Sequence, residues 1–276
     1  MTTIRLVGPG RAGRSLAAAL QTVGVEVRGI LGRGDDPLHA AAGVDAVVLA
    51  TPDRVVADVA ATIRPEPSTV VVHLAGSLGL DVLAPHPRRA SLHPLVPLPD
   101  PAVGRERLLA GATFAVAGDP LAEDLVRRLG GRAVTVPDDQ RVRYHAAAAM
   151  AANHVVALLG QVESIAAAAG LHLDLFVGLT AAAVADAFRL GPARALTGPA
   201  ARGDEETLAR HRAVLPVEDR PAYDALAALA RRLARQAAAT GGTDPAGGTG
   251  CGALRPDGAL RPDRASNPDL EVAAWS

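Results

Sequence analysis

Residues 4–7, Ile-Arg-Leu-Val, run without a break into Gly8-Pro9-Gly10-Arg11-Ala12-Gly13. A strand-like apolar segment feeding three glycines at G-x-G-x-x-G spacing is the strongest constraint in the chain, because each glycine answers a separate steric demand. The first permits a tight turn, the second lets backbone approach a pyrophosphate, and the third lets the following helix pack on the strand. The pattern predicts a helix over Arg14–Thr22, with Ala17 small enough for close packing, and a second strand over Val25–Leu31. Strand, glycine loop, helix and strand together make a βαβ unit whose helix N-terminus offers unpaired N–H groups to an anion. Gly8, Pro9, Gly10, Arg11, Ala12 and Gly13 are therefore candidate cofactor-binding residues.

The end of the second strand selects the cofactor. A carboxylate there accepts hydrogen bonds from a ribose 2′-hydroxyl, whereas a 2′-phosphate needs a cation. The sequence reads Ile30-Leu31-Gly32-Arg33-Gly34, so Arg33 favours NADP(H): a guanidinium can hold a phosphate through two parallel hydrogen bonds. A solvated loop arginine is the plainer reading, since the chain contains no lysine and every basic position is Arg. Asp35 and Asp36 follow closely and keep NAD open.

Further strand-length apolar runs follow at Ala46–Ala50, Thr69–Leu74, Ala90–His93, Thr113–Ala117 and Arg132–Val136, with helices predicted over Asp53–Ile63 and Leu121–Leu129. The runs are continuous, as expected of strands buried on both faces of a parallel sheet. Pro94–Pro101, with four prolines, predicts a non-helical loop. After Val136 the pattern turns to Ala-rich helical stretches at Asp138–Ala169, Leu173–Leu190, Asp204–Leu215 and Pro221–Thr240. Gly170 and Gly191-Pro192 mark breaks between them, and Asp219-Arg220-Pro221 reads as the start of the last. The expected class is α/β: a Rossmann dinucleotide-binding domain over 1–137 and an all-α substrate and dimerisation domain over 138–240. The Gly-, Pro-, Asp- and Arg-rich tail, 241–276, reads as disordered.

Aromatic residues make up only 2% of the chain, so the core must be built from Ala, Val and Leu. A net charge of −1 with scattered basic residues argues against nucleic-acid binding. The single cysteine, Cys251, can form neither an intramolecular disulfide nor a thiolate metal cluster, so no metal and a reducing, cytoplasmic setting are expected. The N-terminus enters a core strand with no signal-like stretch, and Ala146–Leu159 falls short of a membrane span.

A nicotinamide lying across the carboxyl ends of the strands would neighbour the loops Ala50-Thr51-Pro52-Asp53, His73-Leu74-Ala75-Gly76-Ser77 and Ser91-Leu92-His93-Pro94-Leu95. Ala50, Thr51, Pro52, Gly76 and Ser77 are candidate cofactor contacts. His93 can protonate a developing alkoxide, or simply bond nearby backbone, while His73 at an apolar strand end reads as core. His145, Ala149 and Asn153 fall at i, i+4 and i+8, a slowly drifting helical stripe that can place His145 and Asn153 on one cleft. Tyr144 and His154 lie on other faces and read as packing or interface residues. In the loop Leu196–Asp204, Arg202 can clamp a substrate carboxylate or stand solvated, with Thr197 and Asp204 as helix caps.

On Gly8–Gly13, Ala50–Asp53, His73–Ser77, Ser91–Leu95, Tyr144–Ala148 with Ala152-Asn153-His154, and Leu196–Asp204, the chain resembles a Rossmann-like oxidoreductase family whose C-terminal helical domain was long labelled only as one of unknown function. The resemblance covers most of residues 1–240. Similar bacterial members are assigned as ketopantoate reductases, which implies NADPH-dependent reduction of a small carboxylate substrate, 2-dehydropantoate, to pantoate in pantothenate synthesis, and a homodimer paired through the helical domain. More distant resemblances keep alternatives open: the His93-Pro94 loop is similar to that of prephenate dehydrogenases, and the helical domain to that of pyrroline-carboxylate and imine reductases. Wider relatives carry a catalytic lysine four residues before a helical Asn. With Asn153 as that Asn, the position is Ala149, which leaves His93 or His145 as proton donor, Asn153 to orient the oxygen and Arg202 to bind carboxylate, or else a non-catalytic NADP-binding sensor.

Overall fold

The computed structural model describes residues 1–240, so the expectation for 241–276 lies outside the described residues. The chain divides into two compact units, Met1–Leu173 and the remainder from Asp174. In the first, β1 (Thr3–Val7), α1 (Arg11–Thr22), β2 (Glu26–Leu31), β3 (Ala46–Leu49), α2 (Val56–Thr62), β4 (Val70–His73), β5 (Arg89–Pro94), α3 (Pro101–Leu109), β6 (Thr113–Gly118), α4 (Leu121–Arg128) and β7 (Arg132–Thr135) build a seven-stranded sheet ordered β2-β1-β3-β4-β5-β6-β7. The chain leaves β1 for β2 on one side and returns to β3 on the other, so strand order reverses between β1 and β3, the place where open α/β sheets bind ligands.

Alternation along each strand sends side chains to two cores. Ile4, Leu6, Val48, Val72, Leu92 and Phe114 pack under α1, α3 and α4, whereas Val7, Val47, Leu49 and Val71 pack with Val56, Ala60 and Ile63 on the other face. This double cover is why the strands read as unbroken apolar runs. The all-parallel expectation fails at one place, because β6 runs antiparallel to β5. An apolar run reports burial on both faces and carries no information on strand direction. β7 pairs β6 in parallel but is exposed at all four positions, as an edge strand of mixed polarity.

Two helices also differ from expectation. The first begins at Arg11, within the glycine motif, and not at Arg14. The Pro-rich stretch is ordered and ends in α3, where Asp100 caps the helix by accepting from the Ala102 and Val103 amides at 2.9 and 3.0 Å and Pro101 occupies the first turn. Gly104 then lets α3 close on Ser15 of α1, whose hydroxyl occupies the space a β-carbon would need.

No strand follows β7 among the described residues. The first unit continues with α5 (Arg141–Ala149), a π-helical turn (Met150–His154) and α6 (Val155–Ala168). The second unit is helical: α7 (Val177–Leu190), α8 (Pro192–Ala195), α9 (Pro199–Arg202), α10 (Glu205–Val214) and α11 (Arg220–Thr240). Asp204 caps α10 through the Thr207 amide at 3.0 Å, and α10 is tied to α11 by Arg231–Glu205 and Arg212–Asp224 ion pairs. Among the described residues no helix is long and apolar enough to cross a membrane, and no group of three or more His, Cys, Asp or Glu side chains could hold a metal ion.

Candidate active site

Parallel pairing of β1, β3, β4 and β5 brings their carboxyl ends to one edge of the sheet. There Gly8 takes a φ of +112°, and a β-carbon on it would lie 2.5 Å from the Ala50 carbonyl oxygen. Gly13 packs against the Gly8 carbonyl so closely that no side chain fits. Gly10 lies between these crowded positions, yet a β-carbon built on it meets nothing within 4 Å. The fold itself therefore leaves open space at Gly10. Gly10 is also the N-cap of α1, with no side-chain cap and no acidic residue in the first turn, so the helix start is left to receive an anion. Beside it, the Thr51 hydroxyl is buried with no hydrogen-bond partner in the protein. These features fit a dinucleotide pyrophosphate. Arg14 steadies the loop by donating to the Pro9 carbonyl at 2.7 Å.

After β2, the two carboxylates that kept NAD open are turned into their own loop. Asp35 accepts from the Gly32 amide at 2.6 Å and Asp36 from the Leu38 amide at 2.9 Å. Arg33 stands exposed between them and the strand.

A second cluster forms beyond β4 and β5. Gly76 is buried beneath two imidazoles: a β-carbon there would lie 2.5 Å from His145 Cδ2 and 2.9 Å from His93 Nε2. The His93 and His145 rings meet edge to face with centroids 5.6 Å apart. His93 Nδ1 is 2.7 Å from the Tyr144 hydroxyl. Ser77 donates to Asp53 at 3.3 Å on the same edge. Below, Arg141 is fully buried, donates to the Ser91 hydroxyl, and has Nε 3.4 Å from an Asp138 carboxylate oxygen. His73, read as a core histidine, is buried, and neither ring nitrogen makes a hydrogen bond of good geometry, although the Gly79 backbone comes close enough to act on its charge.

This environment suppresses positive charge on imidazole. Burial, and next the Arg141 charge, push His73 down to about 4; burial, then His145 and Arg141, push His93 to about the same value. Both rings are neutral near pH 7. Burial also raises the Tyr144 hydroxyl above its ordinary value, with Arg141 opposing.

Of the sequence candidates, Gly76, Ser77, His93 and His145 are thus brought together, and Gly8–Gly13 lines the same sheet edge with Ala50, Thr51 and Pro52. Tyr144 departs from its packing or interface reading, because its hydroxyl holds His93. Asn153 is exposed and sits in the π-turn. An α-helix drifts by about 80° over eight residues at 3.6 per turn, and the wider turn absorbs most of this, so Asn153 returns to the helix line of His145 more closely than α-spacing predicts. Arg202 is exposed at the end of α9 in the second unit. Arg141 was missed, and Ser91 was named only as part of its loop: a buried arginine carries no sequence signal beyond a basic residue at a helix start.

Residues 112–230 match the family model described as Domain of unknown function (DUF2520). No curated protein matches the chain. Among solved structures, the fold is shared with a candidate NADP oxidoreductase from Bacteroides fragilis, at 20% identity and TM-score 0.67 over 85% of this chain and 97% of that one. It is also shared with protein TM1727 from Thermotoga maritima, at 22% identity and TM-score 0.65 over 84% and 98%. A reductive aminase from Aspergillus terreus, solved in complex with NADPH and ethyl levulinate, aligns at 16% identity and TM-score 0.62 over 86% and 94%. These likenesses establish the Rossmann-like fold with a helical C-terminal region.

Proposed function

We propose that this protein is an NADPH-dependent reductase of a small carbonyl compound, with 2-keto acids as the substrate class and 2-dehydropantoate as the leading member. The observation that carries the reading is the open cradle at Gly10 on the same sheet edge as the His93–Tyr144–His145 cluster. Gly8, Gly10 and Gly13 with the start of α1 would hold the pyrophosphate, Arg33 the 2′-phosphate, and Ala50, Thr51, Pro52, Gly76 and Ser77 the nicotinamide half. When bound, the cofactor supplies a hydride to the carbonyl carbon. The chain must supply a proton to the oxygen and exclude water around it. In a protein without lysine, His93 or His145 carries that proton, Asn153 orients the oxygen, and Arg202 is the proposed carboxylate ligand.

The test is NADPH consumption against a panel of 2-keto acids and cyclic imines. Saturable turnover of a keto acid, with KM raised at least about tenfold by Arg202→Ala as expected for a charge-assisted bond, supports the reading. Turnover of imines alone would favour the C=N reduction that the aminase's fold kinship suggests, and NADPH binding without turnover of either would favour a sensor.

We also propose a homodimer. Val156 on α6 is 69% exposed, and in the second unit Leu179 and Phe188 on α7 are 70% and 88% exposed. Bare apolar helix of this kind in each unit marks an interaction surface there, and a second copy is the occupant available to any solution of the pure protein. Sedimentation should give a dimer at micromolar concentration, and a clean monomer would remove the idea.

A further inference from the structure

We infer that Tyr144 is a positioning residue that donates its hydroxyl hydrogen to His93 Nδ1, fixes the ring as the Nε2–H tautomer, and so completes a path by which a proton reaches substrate through a neutral imidazole. The inference deepens the reductase reading and rests on it only for the use made of the proton.

The geometry sets the direction of the bond. The 2.7 Å contact between the Tyr144 oxygen and Nδ1 can be made with the hydrogen on either atom. Were Nδ1 the donor, the phenol hydrogen would need another acceptor, and His93 would turn a bare, unprotonated Nε2 toward Gly76. Water can take that hydrogen from the half-buried Tyr144, but a phenol O–H is a much better donor than a neutral imidazole N–H, and an imine nitrogen a much better acceptor than a phenol oxygen. Nε2 meanwhile points into the crowded space over Gly76, where its contacts are the glycine and His145. With Tyr144 as donor the pair is satisfied internally, and one hydrogen remains, on the nitrogen that faces the site. The buried Arg141 beside both groups strengthens this sense, because a nearby cation makes a phenol a better donor and a protonated imidazole a worse neighbour.

That last point explains why a second residue is needed. His93 is held neutral near pH 7, so it cannot act by shedding the extra proton of an imidazolium. A neutral ring that gave up its Nε2 hydrogen unaided would be left as an anion. With Tyr144 in place the ring gains at Nδ1 what it loses at Nε2. The Nε2–H bond breaks as the O–H bond of the product alcohol forms, and the Tyr144 O–H bond breaks as Nδ1–H forms. On return the Tyr144 phenolate takes its hydrogen back from Nδ1 while Nε2 takes one from water, which restores the starting tautomer. No oxidant or further reactant enters beyond the hydride donor and one proton from solvent.

The tautomer can be read without cofactor or substrate. Long-range ¹H–¹⁵N correlation spectra of the ligand-free full chain at pH 7, with His93 assigned by its loss in His93→Asn, should show Nε2 protonated and Nδ1 as a hydrogen-bonded acceptor. In Tyr144→Phe the Nδ1 resonance should move toward that of an unbonded imine nitrogen, and kcat should fall at least about tenfold while NADPH affinity holds. Protonated Nδ1 in the wild-type spectrum overturns the inference, and it does so even where Tyr144→Phe fails to fold. Full turnover by a folded Tyr144→Phe, in an enzyme whose His93 variant is slow, overturns the proton path. The predicted tautomer in a protein that reduces nothing would leave the Tyr144–His93 arrangement standing and remove the reductase reading alone.

Discussion

His93→Ala is expected to lower kcat at least about a hundredfold, the usual scale of general acid–base catalysis, with NADPH affinity retained. Three observations join in this expectation. His93, next to last in β5, lies on the same carboxyl edge of the sheet as the β1–β3 reversal, two strands beyond β3, within reach of a ligand that crosses that edge. Its Nε2 faces a buried glycine that leaves room for no side chain, and its other nitrogen is held by Tyr144. His145 touches the same glycine from α5, and His145→Ala tests whether it shares the role or only shapes the pocket. Affinity should hold because the proposed pyrophosphate site at Gly10 makes no use of either ring. Should both single variants keep near-full turnover, the proton comes from water or another group, and the catalytic assignment falls even if fold and cofactor stand.

Acid should unfold the protein early, between about pH 6.5 and 4. His73 is buried and His93 half-buried, and both are neutral, each with its folded pKa near 4 against an ordinary 6.5 in the unfolded chain. Through that window the unfolded state binds more protons than the folded one, so stability falls as pH falls and the loss is complete below the folded value. At about 1.4 kcal/mol per unit, each ring contributes on the order of 3 kcal/mol, a large part of the roughly 5–15 kcal/mol that holds a typical domain together. Urea unfolding at pH 7, 6, 5 and 4 should show the slope. His73→Met removes one titrating group and, with it, only a weak approach of the Gly79 backbone, so it should cost little at pH 7 while about halving the slope. A flat profile from pH 7 to 4 would mean that the rings are solvated in the folded state.

The sheet was legible because its strands are buried on both faces, and such strands write themselves as runs of Val, Leu, Ile and Ala that no turn interrupts. Strand direction was not, since Thr113–Gly118 looks the same whichever way it runs, and the helix that reverses it hides behind prolines that read as a loop until Asp100 is recognised as a cap before Pro101. In the site, Gly8, Gly10 and Gly13 could be assigned roles from spacing alone, because each role is local to one turn. Tyr144 could not. One helical position from His145, it faces elsewhere by periodicity, and its partner His93 lies 51 residues away on another element. Arg141 escaped for a related reason: a guanidinium is buried only where a serine from a distant strand and a carboxylate from a preceding turn meet it, and neither meeting has a sequence period.

Equilibrium titration of the full chain with NADPH and with NADH, followed by nicotinamide fluorescence, for the wild type and Arg33→Ala, decides whether the site is built for a 2′-phosphorylated dinucleotide. The exposed Arg33, with Asp35 and Asp36 turned into their own loop, predicts tighter binding of NADPH and loss of that advantage in Arg33→Ala, with NADH affinity nearly unchanged. Equal losses for both nucleotides would contradict the role given to Arg33, and the absence of saturable binding by either would contradict the account as a whole.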